Sequence, residues 1–338
     1  MIEINGNLCH KKITAGLTPA LSFDKNKGFA EQKTEIGEKL RELMGLDRIK
    51  ANACEPNLTV EEDVMMDGYR RIRFVFFSEP ETPVPCYLLI PDTGKEKYPV
   101  AITLQGHSTG FHNSIGIQKY DRDKDYQPRG AFALQAVRNG FIALCIEQRS
   151  MGERQPPDPA DRGHNCCFQA HNAFMLGRTT IGERVHDISR AIDLLSSFDQ
   201  CDTDRICITG NSGGGTASFY AACIDERIKV SIPSCAFCPY DDSIMAMLHC
   251  GCNYIPSARL YFEMQDLACL IAPRKLAIVA GNLDPIFPID GVKRGFETVK
   301  DIFTAAGVPD NASLTVTERE HWWCEDIVWP LIKETTGW

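Results

Sequence analysis

Ile206-Cys-Ile-Thr-Gly-Asn-Ser-Gly-Gly-Gly-Thr-Ala-Ser-Phe-Tyr-Ala-Ala-Cys223 reads as a short apolar strand, a tight glycine-rich turn and an Ala-rich helix. Gly210 and Gly214 stand two residues before and two after Ser212. At such a turn the backbone runs too close to its neighbours for a Cβ atom, and the strained conformation lifts the serine hydroxyl into the open. A serine hydroxyl is a weak nucleophile until a base takes its proton, so this elbow demands an imidazole and an acid from elsewhere in the chain.

Outward from the elbow, strand and helix patterns alternate. Upstream lie a helical stretch over Ala131 to Asn139, a strand over Phe141 to Ile146, and an amphipathic helix over Thr180 to Phe198. That helix puts Ile181, Val185, Ile188, Ile192 and Leu195 on one side, and Thr180 with Glu183 fits a capping box. Downstream, Ile228 to Ile232, Leu276 to Ala280 and Leu314 to Val316 read as strands, and Asp326 to Thr335 as a closing helix. Alternation of this kind implies right-handed crossovers and an α/β fold with a mostly parallel central sheet covered by helices on both faces. Earlier still, Ile72 to Phe77, Val84 to Ile90 and Tyr98 to Leu104 read as three successive strands.

Residues 1–65 carry no catalytic signal. Ile36, Leu40, Leu43 and Met44 share one helical face, so this part is expected to be an N-terminal helical extension packed on the main domain, residues 66–338, or on a second subunit. Two long segments rich in Gly, Pro, Asp and Asn, His107 to Arg129 and Met151 to Arg178, break the alternation where strand ends should form a cleft.

At 338 residues, 43% hydrophobic and 24% charged, the chain can bury one large core. A net charge of −9 with scattered Lys and Arg argues against nucleic acid and anionic membranes as partners. No run approaches the roughly 20 apolar residues of a membrane helix, and the first residues do not read as a signal peptide. Fifteen cysteines, many inside apolar runs, are easiest to accommodate in a reducing cytoplasm. The oligomeric state stays open, a homo-oligomer included.

Two residues meet the demand of the elbow. Asp284 follows a strand within Ala280-Gly-Asn-Leu-Asp-Pro-Ile-Phe-Pro288, and His321 follows the last strand within Glu318-Arg-Glu-His-Trp-Trp323. A carboxylate can orient the imidazole, which in turn activates Ser212. An oxyanion needs preorganised N–H donors, for which Gly213 and, in Leu104-Gln-Gly-His-Ser-Thr-Gly110, His107 are the candidates. Trp322 and Trp323 flank the base and offer an apolar wall or a sugar-stacking surface, with core packing open for one of them. Cys235-Ala-Phe-Cys238 and His249-Cys-Gly-Cys252 together hold enough donors for a tetrahedral zinc, yet their spacing matches no common finger. Buried thiols are the reading adopted for them, with no metal and no cofactor expected.

From about Ile72 onward the chain resembles the α/β-hydrolase superfamily, in particular its acetyl xylan esterase-like and dienelactone hydrolase-like branch. The likeness is carried by Gln105 to Gly110, Gly182-Glu-Arg-Val-His-Asp187, Asp204 to Gly215, Asp225-Glu-Arg-Ile228, His249 to Pro256, Ile271-Ala-Pro-Arg274 and Gly281 to Pro288. The resemblance implies a nucleophile at Ser212, an acid at Asp284, a base at His321 and oxyanion donors at Gly213 and His107. It also implies hydrolysis of small acyl esters, acetyl esters of carbohydrates or small metabolites foremost. Dienelactone hydrolases proper use a cysteine in place of Ser212, so their substrate is not carried over. Two other readings stay open: a prolyl oligopeptidase-type serine peptidase, for whose propeller residues 1–65 leave no room, and a catalytically silent hydrolase fold used for binding.

Overall fold

The computed structural model describes residues 4–155 and 165–338. Its centre is a nine-stranded sheet: β1 (Thr59–Met66), β2 (Tyr69–Glu79), β3 (Thr82–Pro91), β4 (Tyr98–Leu104), β5 (Ile142–Ile146), β6 (Cys201–Asn211), β7 (Ile228–Ser234), β8 (Lys275–Gly281) and β9 (Ala312–Thr317). The spatial order is β1-β2-β3-β5-β4-β6-β7-β8-β9. β1, β2, β3 and β5 pair antiparallel in turn, and every pairing from β5 through β4 to β9 is parallel. The mostly parallel α/β sheet expected from the alternation is thus present, in the fold class that the resemblance to α/β-hydrolases implies.

Period two divides the strand residues between two cores. Val100, Ile102 and Leu104 of β4, with Ile142, Leu144 and Ile146 of β5, face a larger core that also takes the helices Phe29–Met44, Thr180–Asp193, Gly213–Ile224 and Ile289–Ala305. Ala101, Ala143 and Cys145 point the other way, toward the helices Phe132–Arg138 and Glu325–Thr336. Cys145 and Cys207 are among several buried cysteines that serve as small apolar side chains, as expected. All twelve residues of the helix after the elbow, Gly213–Ile224, are buried, which explains its lack of a polar face.

Three expectations need correction. Residues 1–65 are not helical throughout, because Thr59–Met66 pairs with β2 as the edge strand of the sheet. Its side chains are mostly exposed, and Glu61, Glu62 and Asp63 form ion pairs with Arg73, Arg71 and Arg70 across the ladder. The helix Phe29–Met44 packs Ile36, Leu40 and Met44 into the larger core, so the extension lies on the main domain of its own chain. It ends at Gly45 with φ 71°, where a Cβ would come within 2.2 Å of the Gly177 carbonyl oxygen.

The helix beginning at Thr180 is capped by Thr179, whose Oγ1 accepts from the Gly182 amide at 3.0 Å. Thr180 with Glu183 does not form the capping box. Thr179 has the extended backbone a cap requires, and Glu183 pairs instead with Arg178 at 3.0 Å and Arg149 at 3.5 Å. The segment Met151 to Arg178 is not a continuous loop either, since Asn165–Met175 is helical; residues 156–164 of it lie outside the described residues.

Candidate active site

The elbow has the backbone its glycines anticipate. Ser212 sits at φ 55° and ψ −124°, between the end of β6 and the first turn of the helix Gly213–Ile224. Its amide donates to the Ser234 carbonyl at 2.9 Å, and its own carbonyl accepts from the Thr216 amide at 2.8 Å. A Cβ on Gly214 would lie 2.1 Å from the Leu104 carbonyl oxygen, and one on Gly210 would lie 2.4 Å from the same atom. Those approaches are why only glycine fits at both places.

Asp284 and His321 come from the loops after β8 and β9. Asp284 Oδ2 is 2.8 Å from His321 Nδ1, and Asp284 Oδ1 accepts the amides of Ile286 at 2.8 Å and Phe287 at 3.1 Å. The carboxylate is buried while the imidazole is partly open. The Phe287 ring lies almost parallel to the imidazole, 15° from coplanar with centroids 5.8 Å apart, and limits its tilt. An imidazole that donates from Nδ1 to a carboxylate presents Nε2 as an acceptor.

Ser212, His321, Gly106 and His107 line one cavity of about 190 Å³, together with Arg129, Phe132 and Trp323. The loop after β4 is packed on the elbow: a Cβ on Gly213 would meet His107 Cε1 and Nδ1 at 3.0 Å. Glu147, at the end of β5, pins this loop by accepting from Gln105 Nε2 at 2.8 Å and from the Phe111 amide at 3.2 Å. Burial pushes the Glu147 carboxyl up to about 7, against the amides of Phe111 and Glu153 that draw it down. Asp123 braces the far side of the loop, accepting from Thr109 Oγ1, from the amides of Lys119 and Tyr120 at 2.7 Å, and from His112 Nε2 at 2.9 Å. Neither carboxylate was singled out from the sequence, because nothing local marks them.

The tryptophans divide. Trp323 is buried, lines the cavity against Phe132, and donates from Nε1 to Gln135 Oε1 at 2.9 Å. Trp322 is part exposed and carries the Arg129 guanidinium over its ring.

The cysteine group does not assemble as its sequence neighbours suggest. Cys235 Sγ lies 3.5 Å from the Trp322 carbonyl oxygen, and burial next to Asp284 pushes its thiol up to about 12. Cys238 lies against the Pro288 carbonyl, and burial raises it as well. His249 Nδ1 bonds Asn253 Nδ2 at 3.0 Å, and burial with the imidazoles of His107 and His321 nearby lowers it to about 4. Cys250 and Cys252 instead meet His107 and Cys166, a residue in the segment read as a loop.

Beneath the site, Arg149 binds Asp187 at 2.8 Å and Glu79 at 2.6 Å, while Arg154 also reaches Asp187 at 2.8 Å. This buried ion network gives a physical role to Glu183 and Asp187 of the stretch Gly182 to Asp187.

Among the described residues, no helix is long and apolar enough to cross a membrane. In comparisons with known proteins, the chain is 25% identical over 229 residues to "Putative hydrolase YtaP" of Bacillus subtilis strain 168, covering 67% of this chain and 74% of that protein. Its fold matches a "putative acetyl xylan esterase" of Bacteroides fragilis with a TM-score of 0.83 at 17% identity, over 98% of this chain and 95% of the other. It also matches a glucuronoyl esterase of Solibacter usitatus with a TM-score of 0.64 at 14% identity, over 96% and 98%. The model of the Abhydrolase family matches residues 8–322, nearly the whole chain, and on that ground the chain belongs to the Abhydrolase family.

Proposed function

We propose that this chain is a serine ester hydrolase that removes small acyl groups, acetyl foremost, from carbohydrates or small metabolites through an acyl-enzyme. The observation that carries the reading is the 2.8 Å contact between His321 and the buried Asp284, at the rim of the cavity that the strained Ser212 shares with His321.

In this mechanism His321 Nε2 takes the Ser212 proton as the hydroxyl oxygen attacks the ester carbonyl. Asp284 holds the productive tautomer and stabilises the imidazolium that forms. The amides of Gly213 and His107 receive the oxyanion; one such donor is worth about 2.7–4 kcal/mol. His321 then returns the proton to the leaving alcohol, and water releases the acyl group by the same steps in reverse. All bonds made and broken are served by these side chains and water, so the reaction calls for no cofactor.

The cavity, about 190 Å³, is smaller than the roughly 300–1,000 Å³ typical of drug-sized ligands. That size supports a short acyl group inside and the alcohol at the mouth, where the Arg129 guanidinium, which lines the cavity and stacks on Trp322, offers a flat, cationic surface for a sugar ring. The names of the structural neighbours, acetyl xylan esterase and glucuronoyl esterase, support ester hydrolysis and supply the competing substrate.

The test is an acyl-length series on one chromogenic alcohol, with a methyl glucuronate ester in parallel. Rates falling steeply beyond propionyl, abolished in Ser212→Ala together with labelling by a fluorophosphonate, are expected. Full activity in Ser212→Ala overturns the nucleophile, and preference for the glucuronate ester overturns the acetyl assignment.

A further inference from the structure

We infer that His107 Nε2 and the sulfurs of Cys166, Cys250 and Cys252 form a closed tetrahedral site for a thiophilic divalent cation, zinc foremost, behind the oxyanion loop. All four donor atoms lie within 4.8 Å of one another. His107 Nε2 is 3.2 Å from Cys252 Sγ and 3.7 Å from Cys166 Sγ, and the sulfurs of Cys250 and Cys252 are 3.4 Å apart. With Zn–S of about 2.3 Å and Zn–N of about 2.0 Å, the edges of a tetrahedron are about 3.5–3.8 Å. Changes of at most about 1 Å in donor separation would bring all four onto one ion. Three thiolates and one imidazole are also a recurrent donor set of structural zinc.

Arg184 points to the same conclusion independently. It is buried in the helix Thr180–Asp193 and gives two of its N–H groups to the Arg149 carbonyl, at 2.8 and 3.1 Å. Others aim at Cys252 Sγ, 3.4 Å away, and Cys166 Sγ, 3.5 Å away. Among the described residues it has no carboxylate within ion-pair distance, unlike Arg149 and Arg178 nearby. A buried guanidinium is costly without a counter-charge. A divalent ion bound by three thiolates and a neutral imidazole carries one net negative charge, which balances it, whereas three neutral thiols do not. N–H donors onto metal-bound sulfur are the expected outer shell of such a centre.

The donors come from three separate segments: the loop after β4, the start of the helix Asn165–Met175, and the turn Gly251–Asn253 with its preceding residue. The ion would tie these together and fix the backbone of His107 beside Gly213. With four protein donors the site has no open position, so its role is structural. Binding exchanges the ion for three thiol protons, which go to solvent. The inference rests on donor geometry and is independent of the reaction proposed above.

The experiment is metal analysis of the untagged protein purified under reducing conditions, followed by reconstitution with zinc and with cobalt(II). About one zinc per chain is expected. Cobalt(II) should give the intense visible bands and sulfur-to-metal charge transfer of a tetrahedral thiolate site. Cys166→Ser, Cys250→Ser and Cys252→Ser should each lose metal to a chelator that the wild type resists, and Cys167→Ser, one residue along the same helix, should retain it. The inference is overturned if reconstituted wild type holds well under one equivalent, if cobalt(II) shows only a weak octahedral spectrum, or if mass analysis finds Cys250 and Cys252 joined as a disulfide.

Discussion

Gly106 lies directly against Ser212: a Cβ added to Gly106 would stand 3.1 Å from Ser212 Cβ and 2.8 Å from the Asn211 carbonyl oxygen. The loop after β4 and the elbow after β6 therefore touch through bare backbone, at the point where an oxyanion would have to be held. Gly106→Ala should push the loop off the elbow and lower kcat by about 10²–10³, the effect of losing one oxyanion donor, along with a drop in the unfolding midpoint because the overlap is with backbone. Steady-state kinetics beside a melting curve checks this, and an unchanged kcat would remove His107 from the oxyanion hole.

Asp284→Asn should keep the fold, because the side-chain oxygen that accepts the amides of Ile286 and Phe287 is preserved. It should nonetheless lower kcat by about 10⁴, since an amide NH₂ facing Nδ1 favours the wrong imidazole tautomer. Far-UV spectra and kinetics of the variant separate the two effects.

Gln135 Oε1 accepts two indole N–H groups, from Trp323 at 2.9 Å and Trp329 at 3.0 Å. Gln135→Leu leaves both donors buried and unpaired, at about 1–3 kcal/mol each. Denaturant melts should show that loss. KM should rise as well, because Trp323 lines the cavity and will no longer be held in one orientation.

Glu79 supplies a pH signature. Burial alone would raise its carboxyl, but Arg178, Asn52 and Arg149 outweigh it and hold the group down to about 2, below its ordinary 4.5. Because the folded value is the lower one, its contribution to stability is complete above about pH 4.5 and is lost as the pH falls toward 2. Glu79→Gln should cost about 3–5 kcal/mol at neutral pH, as Arg149 and Arg178 lose a buried partner, and should flatten the acid limb of the stability curve. Urea melts from pH 2.5 to 7 measure both.

Where a segment buries one face or both, its pattern was readable, and the elbow, the strands on either side of it and the amphipathic helices follow from period alone. β1 escaped because both of its faces are largely exposed and its partners, Arg70, Arg71 and Arg73, are polar. Asn165–Met175 escaped because Gly, Pro and Asp before it mask the start of a helix. That Asp284 and His321 follow strands was legible in the pattern of apolar runs, and the two side chains meet at 2.8 Å. Cys166 was not: its partners His107, Cys250 and Cys252 are distant in the chain, and adjacency had grouped Cys235 and Cys238 with the last two instead. Thr180 misled as a cap because Thr179 beside it offers the same hydroxyl one step earlier.

β6, which leads into the strained serine, has five strands on one side of it and three on the other. Fraying at either edge leaves that interior untouched, so the tension in the elbow has no cheap route of release short of collapse of the entire molecule. On heating, hydrolytic competence and tertiary structure should vanish together at a single midpoint, and the amides of Ile206 to Asn211 should be among the last to exchange with deuterium.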